Sequence, residues 1–229
     1  MQEVIDILNM NHVNYAILRN YENLLDDEIY MDGHGDVDLI CEDSNQIAKL
    51  LNVYFSKTHT IRGEGDRTHY YIYINNIKVS LDLRHIGDDY YCRKWEKDML
   101  DRSILYNGFN VLSPKDHFYT LIYHAIFQKK ELSKDYKKRL KKMGISLGIN
   151  MEVSTTSFFV NLLENYMKLY NYHYCYAVDK YVPLKKKHIQ DKSLLVMNYY
   201  RFYQHKKFEL KISFIEMLVH IYHLTLKRK

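Results

Sequence analysis

Apolar and polar residues in the first half of the chain follow patterns typical of one amino-terminal helix and several short strands. Residues 1–10 carry Val4, Ile5 and Leu8 at helical spacing, so a helix with an apolar face is predicted there. Short runs of β-branched and aromatic residues bounded by polar ones are typical of strands. Such runs occupy residues 14–18, 36–41, 58–62, 68–74 and 77–83.

Two local signals set boundaries between these elements. Ser44 precedes the apolar-periodic stretch 46–55, and because serine can accept a hydrogen bond from the first helical turn, a helix capped by Ser44 is predicted. Asn75 and Asn76 separate the last two strands and tolerate positive φ, which predicts a hairpin turn. No helix-length segment separates the last three strands, so an antiparallel or mixed sheet is expected.

The apolar period changes to that of helices at Ser113. Pro114 and Asp116 follow it, as expected for the first turn and the capping box of a helix. Helical spacing then recurs over residues 131–143, 154–170, 192–205 and 211–227. We therefore predict an α+β fold, in which a small mixed or antiparallel sheet with flanking helices (1–112) is followed by a helical, basic, tyrosine-rich domain (113–229).

The net charge of the chain changes sign close to the residue at which the apolar periodicity becomes helical. Residues 1–114 carry a net charge of −8 and residues 115–229 a net charge of +13. An acidic half is typical of metal-binding carboxylates and a basic half suits phosphate-bearing ligands, although the two halves could equally attract each other. No nucleic-acid-reading motif is present, but basic helices interleaved with tyrosine leave nucleic acid open as a partner.

Cysteine usage and the amino terminus indicate the compartment. Cys41, Cys92 and Cys175 are far apart and form no CxxC pair, which argues against a disulfide scaffold or a zinc ribbon. Acidic residues stand where a secretory signal needs basic ones, and no apolar stretch reaches the roughly 20 residues of a membrane span. We expect a cytoplasmic protein without a membrane span.

The segment Gly35-Asp36-Val37-Asp38-Leu39 carries the strongest chemical signal. Side chains alternate along a strand, so Asp36 and Asp38 project from one face about 7 Å apart. Paired carboxylates suit Mg²⁺ or Mn²⁺, and Gly35 allows a close approach to the backbone. Asp82 repeats the apolar–acid–apolar pattern, and it would join the pair if the two strands are neighbours. The alternative is that Asp36 and Asp38 line the solvent face of an edge strand.

Four segments in this order resemble the polymerase-β-type nucleotidyltransferase superfamily, most closely a bacterial group of uncharacterised nucleotidyltransferases; they are ILRNY, GDVDL, SLDLR and GFNVLSPKDH. The resemblance covers roughly residues 12–128. It implies a nucleotidyltransferase-type sheet, Mg²⁺ or Mn²⁺ as cofactor, and transfer of a nucleoside monophosphate from an NTP to an acceptor. By this resemblance Asp36, Asp38 and Asp82 are both the catalytic residues and the metal ligands.

One turn departs from that superfamily. Most members have a Gly-Ser or Gly-Gly pair after the first strand, whereas this chain has Arg19 and Asn20. Arg19 could contact a triphosphate through its guanidinium group, so Arg19, Asn20 and Gly35 are the expected nucleotide-binding residues. Arg84, after the strand of Asp82, and His124, in the Tyr-His-Ala step of the next helix, are candidate substrate contacts.

Two other functions fit the same residues. The altered turn at Arg19 also suits a nucleotidyltransferase-like binding or antitoxin-type module without turnover. The carboxylates also suit a metal-dependent phosphohydrolase, which releases inorganic phosphate rather than pyrophosphate. The acceptor, whether a small molecule or a macromolecule, is not encoded in any motif.

Overall fold

A mixed seven-stranded sheet forms the centre of the protein, whose computed structural model describes residues 1–26, 36–55, 69–74, 76–129 and 131–226. The strands are β1 (Tyr15–Ile17), β2 (Asp36–Cys41), β3 (Tyr54–Phe55), β4 (His69–Ile74), β5 (Ile77–His85), β6 (Ile104–Tyr106) and β7 (Phe109–Val111). Their order is β3-β4-β5-β2-β1-β7-β6. The pairs β2–β5 and β1–β7 are parallel and the others antiparallel, so the prediction of a mixed sheet is confirmed.

Helices precede, interrupt and follow this sheet. They are α1 (Gln2–Met10), α2 (Ser44–Leu50), α3 (Arg93–Asp101), α4 (Pro114–Tyr123), α5 (Lys134–Ser146), α6 (Thr156–Tyr170) and α7 (Tyr199–Leu226). A π-helical turn, His124–Gln128, continues α4, and short 3₁₀ turns lie at Tyr21–Asn23, Lys186–His188 and Lys192–Leu194. Among the described residues, no helix has the length and apolar character that crossing a membrane requires.

Two sequence-based helix boundaries are wrong. Asp43, not Ser44, caps α2, because its side chain accepts a hydrogen bond from the Asn45 backbone N–H at 2.8 Å. The helix then ends at Leu50 rather than at residue 55, because Asn52 takes a left-handed conformation and residues 54–55 join the sheet as β3. At α4 the predicted cap is confirmed, since Ser113 Oγ accepts from the Asp116 N–H at 3.1 Å.

The carboxy-terminal part was also predicted differently. The expected helices over 192–205 and 211–227 are wrong, because residues 199–226 form the single helix α7. Asn198 explains its start, since Asn198 Oδ1 accepts from the Arg201 N–H at 3.1 Å. The intervening residues 206–210 contain neither glycine nor proline, so nothing interrupts the helix there.

Three elements between residues 84 and 112 had no prediction. They are α3 and the hairpin β6–β7, whose turn is Asn107-Gly108. Both turn residues have positive φ, 47° and 88°, as a two-residue hairpin requires. The predicted strand 58–62, residue 68 and the turn residue Asn75 lie outside the described residues.

Both faces of the sheet are buried. Along β1, Tyr15 and Ile17 contribute to one apolar cluster with α1 and α2, while Ala16 contributes to a second cluster with α3, α4 and α6. The second cluster draws residues from Ala16 to Leu194, and thus from both sides of the predicted boundary at residue 112. Sheet and helices therefore share apolar packing at this face, which places helical residues beside the strands that carry the aspartates.

Candidate functional site

Three aspartates converge where β2 and β5 run side by side. These strands are parallel, and their register pairs Asp38 directly with Asp82 and Asp36 with Ser80. Paired residues of neighbouring strands share a sheet face, as do residues two apart on one strand. Asp36, Asp38 and Asp82 accordingly line the same cavity of about 270 Å³. The predicted convergence is thus present.

The strands hold these carboxylates through their apolar neighbours. Val37 and Leu39 alternate with the aspartates of β2 and are buried, and Leu81 and Leu83 flank Asp82 in the same way. β2 lies between β5 and β1, so the alternative of an edge strand does not apply. The aspartates therefore project from the interior of the sheet, where backbone pairing on both sides restricts their position.

Arg19 follows β1 and binds Asp38 rather than lying free in the cavity. Its Nε donates to Asp38 Oδ2 at 2.7 Å, and its Nη2 donates to Asp38 Oδ1. Burial opposes ionisation of Asp38, which is 2% exposed, but the paired guanidinium lowers its pKa below the ordinary value. Asp38 is therefore ionised at neutral pH, with both oxygens engaged by Arg19.

Asp36 has the opposite electrostatic environment. Desolvation by the surrounding protein raises its pKa, and repulsion from Asp38 and Asp82 raises it further, more than Arg19 lowers it. A cluster of carboxylates with a raised pKa in one member is a common feature of functional sites. Here the raised pKa of Asp36 reflects desolvation first and repulsion from the neighbouring carboxylates second.

Arg84 forms a second wall of the cavity and is almost fully buried. Its Nη1 donates to Asp179 Oδ2 at 3.1 Å, and its Nη2 lies 3.7 Å from Asp82 Oδ2. Its guanidinium carbon lies 4.3 Å from the centre of the Tyr90 ring, in cation–π contact. Arg84 Nε has no hydrogen-bond partner among the described residues. The predicted position of Arg84 at the site is present, whereas Asp179 was not predicted.

His124 lies at the cavity in the π-helical turn. Its Nδ1 is 3.0 Å from Gln128 Oε1 and 3.2 Å from the hydroxyl of Tyr90. Burial lowers the pKa of His124 to about 3, and the charge of Arg19 lowers it too. His124 is therefore neutral at physiological pH, able to accept or donate one hydrogen bond, and it is not a cationic phosphate contact.

The remaining predicted residues are placed as follows. Asn20 lines the cavity in a left-handed conformation, with φ of 58°, and its side chain accepts from Arg139 Nη1 at 2.8 Å. Gly35 lies outside the described residues. Tyr21, the first residue of the following 3₁₀ turn, contacts His117 of α4, with the ring centres 5.2 Å apart.

Several wall residues were not predicted as site residues. They are Tyr90, Gln128, Lys129, Tyr136, Tyr181, Val182 and Pro183. All but Tyr90 come from the second half of the chain, and no motif marks them, because they reach the cavity through packing of the helices against the sheet. Lys129 thus shares the cavity with Arg19 and Arg84, so three cations line it together with the three aspartates.

The donor set fits a divalent cation in kind but not in its present arrangement. Three carboxylates on one cavity are the hard oxygen donors that Mg²⁺ and Mn²⁺ take. Among the described residues, however, no group of three or more His, Cys, Asp or Glu side chains is arranged so as to hold a metal ion. Arg19 occupies both oxygens of Asp38, so a cation bound there would have to displace it.

Comparison with known protein families, with curated proteins and with solved structures gives no match. The resemblance to nucleotidyltransferases thus stays an expectation that depends on short segments. The residues of the cavity are therefore the basis on which a function is proposed below.

Proposed function

We propose that the protein is a metal-dependent nucleotidyltransferase that moves a nucleoside monophosphate from an NTP to an acceptor and releases pyrophosphate. One observation carries this proposal, namely that Asp38 and Asp82 are paired across parallel strands and share one cavity with Asp36. Asp36, Asp38 and Asp82 would hold the divalent cation. When bound, such a cation activates an attacking hydroxyl and neutralises charge on the leaving oxygens.

The charges of the cavity support a phosphate-bearing substrate. Arg19, Arg84 and Lys129 line it together with the three aspartates. Guanidinium groups bind phosphate oxygens at two points, and Lys129 would add a further positive charge. A site with acids alone would repel a triphosphate, whereas this one offers separate groups for the cation and for the phosphates.

Individual side chains would then have distinct tasks. Arg19 would exchange Asp38 for a phosphate of the nucleotide, which frees the two carboxylate oxygens. Asp82, whose Oδ2 lies 3.7 Å from Arg84 Nη2, would accept the proton of the attacking acceptor group. His124, neutral and held beside Gln128 and Tyr90, would orient substrate by hydrogen bonding rather than by charge.

Label transfer from α-labelled NTPs in the presence of Mg²⁺ tests this proposal. Asp36→Asn, Asp38→Asn and Asp82→Asn are each expected to reduce transfer by about 10³-fold, since loss of metal-held charge stabilisation amounts to several kcal/mol. Asp101→Asn is the matched control, because Asp101 lies on the exposed end of α3 outside the cavity. Transfer by Asp36→Asn or Asp38→Asn at the wild-type rate would contradict the mechanism.

A binding module without turnover is the second candidate. The Arg19–Asp38 pair favours it, since a permanently closed pair leaves too few free carboxylate oxygens for a cation. Calorimetry with NTP and Mg²⁺ separates the two, because tight Mg²⁺-dependent binding of NTP excludes the inactive module. Product analysis separates a phosphohydrolase, which would release inorganic phosphate and leave no pyrophosphate.

A further inference from the structure

A second cavity lies beside the first, along helix α5. Its volume is about 510 Å³, and Tyr21, His117, Arg139 and Lys142 are among its lining residues. A cavity of this size lies within the range that holds ligands of several hundred daltons. The residues discussed for nucleotidyl transfer do not line it, so it has no part in the proposed chemistry.

The two cavities are adjacent through the turn after β1. Asn20 lines the first cavity and Tyr21 the second, and Arg139 of the second cavity donates to Asn20 Oδ1 at 2.8 Å. Helix α5 borders both, with Tyr136 at the first and Arg139 and Lys142 at the second. The two cavities are therefore neighbours along α5, with Asn20 and Tyr21 between them.

The outer surface of α5 is strongly basic. Its exposed lysines are Lys134, Lys137, Lys138, Lys141 and Lys142. They recur at spacings of three and four, so they lie on adjoining faces of the helix. None forms an ion pair with an acid in the described part of the chain. Like charges three or four apart destabilise a helix, so this row of lysines, the α5 lysine row, favours a bound polyanion.

The chemistry of the second cavity and of α5 favours nucleic acid over a membrane surface. The opposite side of α5 is packed in the core, where Leu140 is fully buried and Gly144 abuts Met151. No broad apolar face is therefore left to enter lipid. In the second cavity, Tyr21 offers an aromatic ring beside Lys142 and beside Arg139, whose Nη2 lies 3.8 Å from Glu22 Oε1. An aromatic ring next to cations is the combination by which proteins bind a base and its backbone phosphate.

We propose that the second cavity and the α5 lysine row bind single-stranded nucleic acid. A duplex could follow the lysines, but its bases are already paired and stacked, whereas an unpaired nucleotide can stack on Tyr21. If the nucleotidyltransferase activity is correct, the end of this strand in the first cavity is the acceptor, and that part of the inference rests on the proposed function. Binding itself does not rest on it.

Fluorescence anisotropy with a short labelled single-stranded RNA, in EDTA and without NTP, tests the proposal. Lys138→Gln/Lys141→Gln/Lys142→Gln is expected to weaken binding about 10- to 100-fold at moderate salt and to reduce the salt slope by about 2, since each lost phosphate contact removes about 0.7. The matched control carries the same charge change at exposed lysines of α2 and α7. These are Lys49, Lys207 and Lys211, and this control is expected to bind like the wild type.

Three further variants and probes sharpen the result. Tyr21→Leu is expected to weaken binding by about fivefold or more through loss of stacking. Equal weakening in the lysine triple and its control, or binding of polyglutamate in preference to RNA, overturns the proposal. Asp38→Asn distinguishes the two proposals, since it should bind RNA normally while losing transfer. Transfer by a wild-type protein that does not bind RNA overturns this inference alone.

Discussion

Two aspartate–arginine pairs in this molecule have the same two-point geometry and different surroundings. Arg102 donates through Nε and Nη2 to the two oxygens of Asp116, at 3.0 and 2.7 Å. Arg19 uses the same two nitrogens to bind Asp38. Such pairs are strong and orientationally specific, so geometry alone does not tell which one supports the fold and which one belongs to a site.

The neighbours of each aspartate make the difference. Asp116 is fully buried and accepts further hydrogen bonds from Ser113 Oγ at 2.7 Å, Tyr166 hydroxyl at 2.8 Å and Trp95 Nε1 at 3.4 Å. Every neighbour is a donor, so only a carboxylate satisfies that position. Asp38 instead has two further carboxylates beside it in an open cavity. Donors on every side indicate a structural pair, whereas further carboxylates beside the pair indicate one that a cation can open.

The largest predicted effect is on stability and separates the two pairs directly. Asp116→Asn places an amide N–H₂ against donors in either orientation, so the free energy of unfolding should fall by about 3–5 kcal/mol. Asp38→Asn should cost less, about 2 kcal/mol, because Asp36 and Asp82 in the same cavity leave the buried Arg19 with carboxylate partners. Urea denaturation of both variants measures the difference. Equal losses would mean that Asp38 is as much a structural residue as Asp116.

The next effect is the pH dependence that His124 contributes on the cavity side of the comparison. His124 has a pKa lowered to about 3 in the fold. The unfolded chain takes up a proton near pH 6.5, so the stability contributed by neutral His124 is full above that pH and is lost as the pH falls towards 3. From pH 7 to pH 5 the loss should be about 2 kcal/mol.

The variant His124→Gln should remove that share of the acid sensitivity. Glutamine keeps a hydrogen-bonding group for Tyr90 but does not titrate, so the unfolding free energy of the variant should fall less between pH 7 and pH 5. His220→Gln, an exposed position on α7, is the control and should retain the wild-type dependence. An unchanged pH dependence in His124→Gln would show that this histidine titrates normally.

The aspartates were predictable from sequence because their signal is local. Asp36, Asp38 and Asp82 alternate with apolar residues at the strand period, and a strand pairing between two such segments is enough to bring them together. The same reasoning could not find Tyr136 or Lys129. Those residues reach the cavity because α4 and α5 pack against the sheet. Packing between elements that are far apart in the sequence produces no periodic pattern in it.

The missed elements have a different cause. Asn107-Gly108 is a strong hairpin signal, but the strands on either side are only three residues long and show no periodicity of their own. At α2, Asp43 and Ser44 are both good caps, and sequence does not decide between adjacent candidates. The Arg19–Asp38 contact likewise depends on tertiary structure, because a guanidinium group that is expected to bind phosphate can also bind a carboxylate.

The smallest predicted effect tests whether a cation can open the Asp38 pair. Arg19→Gln frees both oxygens of Asp38, so Mn²⁺ should bind about tenfold more tightly in the absence of nucleotide, a change of about 1.4 kcal/mol. Electron paramagnetic resonance titration of free Mn²⁺ measures this. Lys129→Gln removes a cavity charge without touching Asp38, so any gain in Mn²⁺ affinity in this variant measures the purely electrostatic part of the effect.

A gain in Mn²⁺ affinity in Arg19→Gln no larger than in Lys129→Gln would mean that Arg19 does not compete with cations. The Asp38 pair would then be structural, like that of Asp116, and the inactive binding module would become the better proposal.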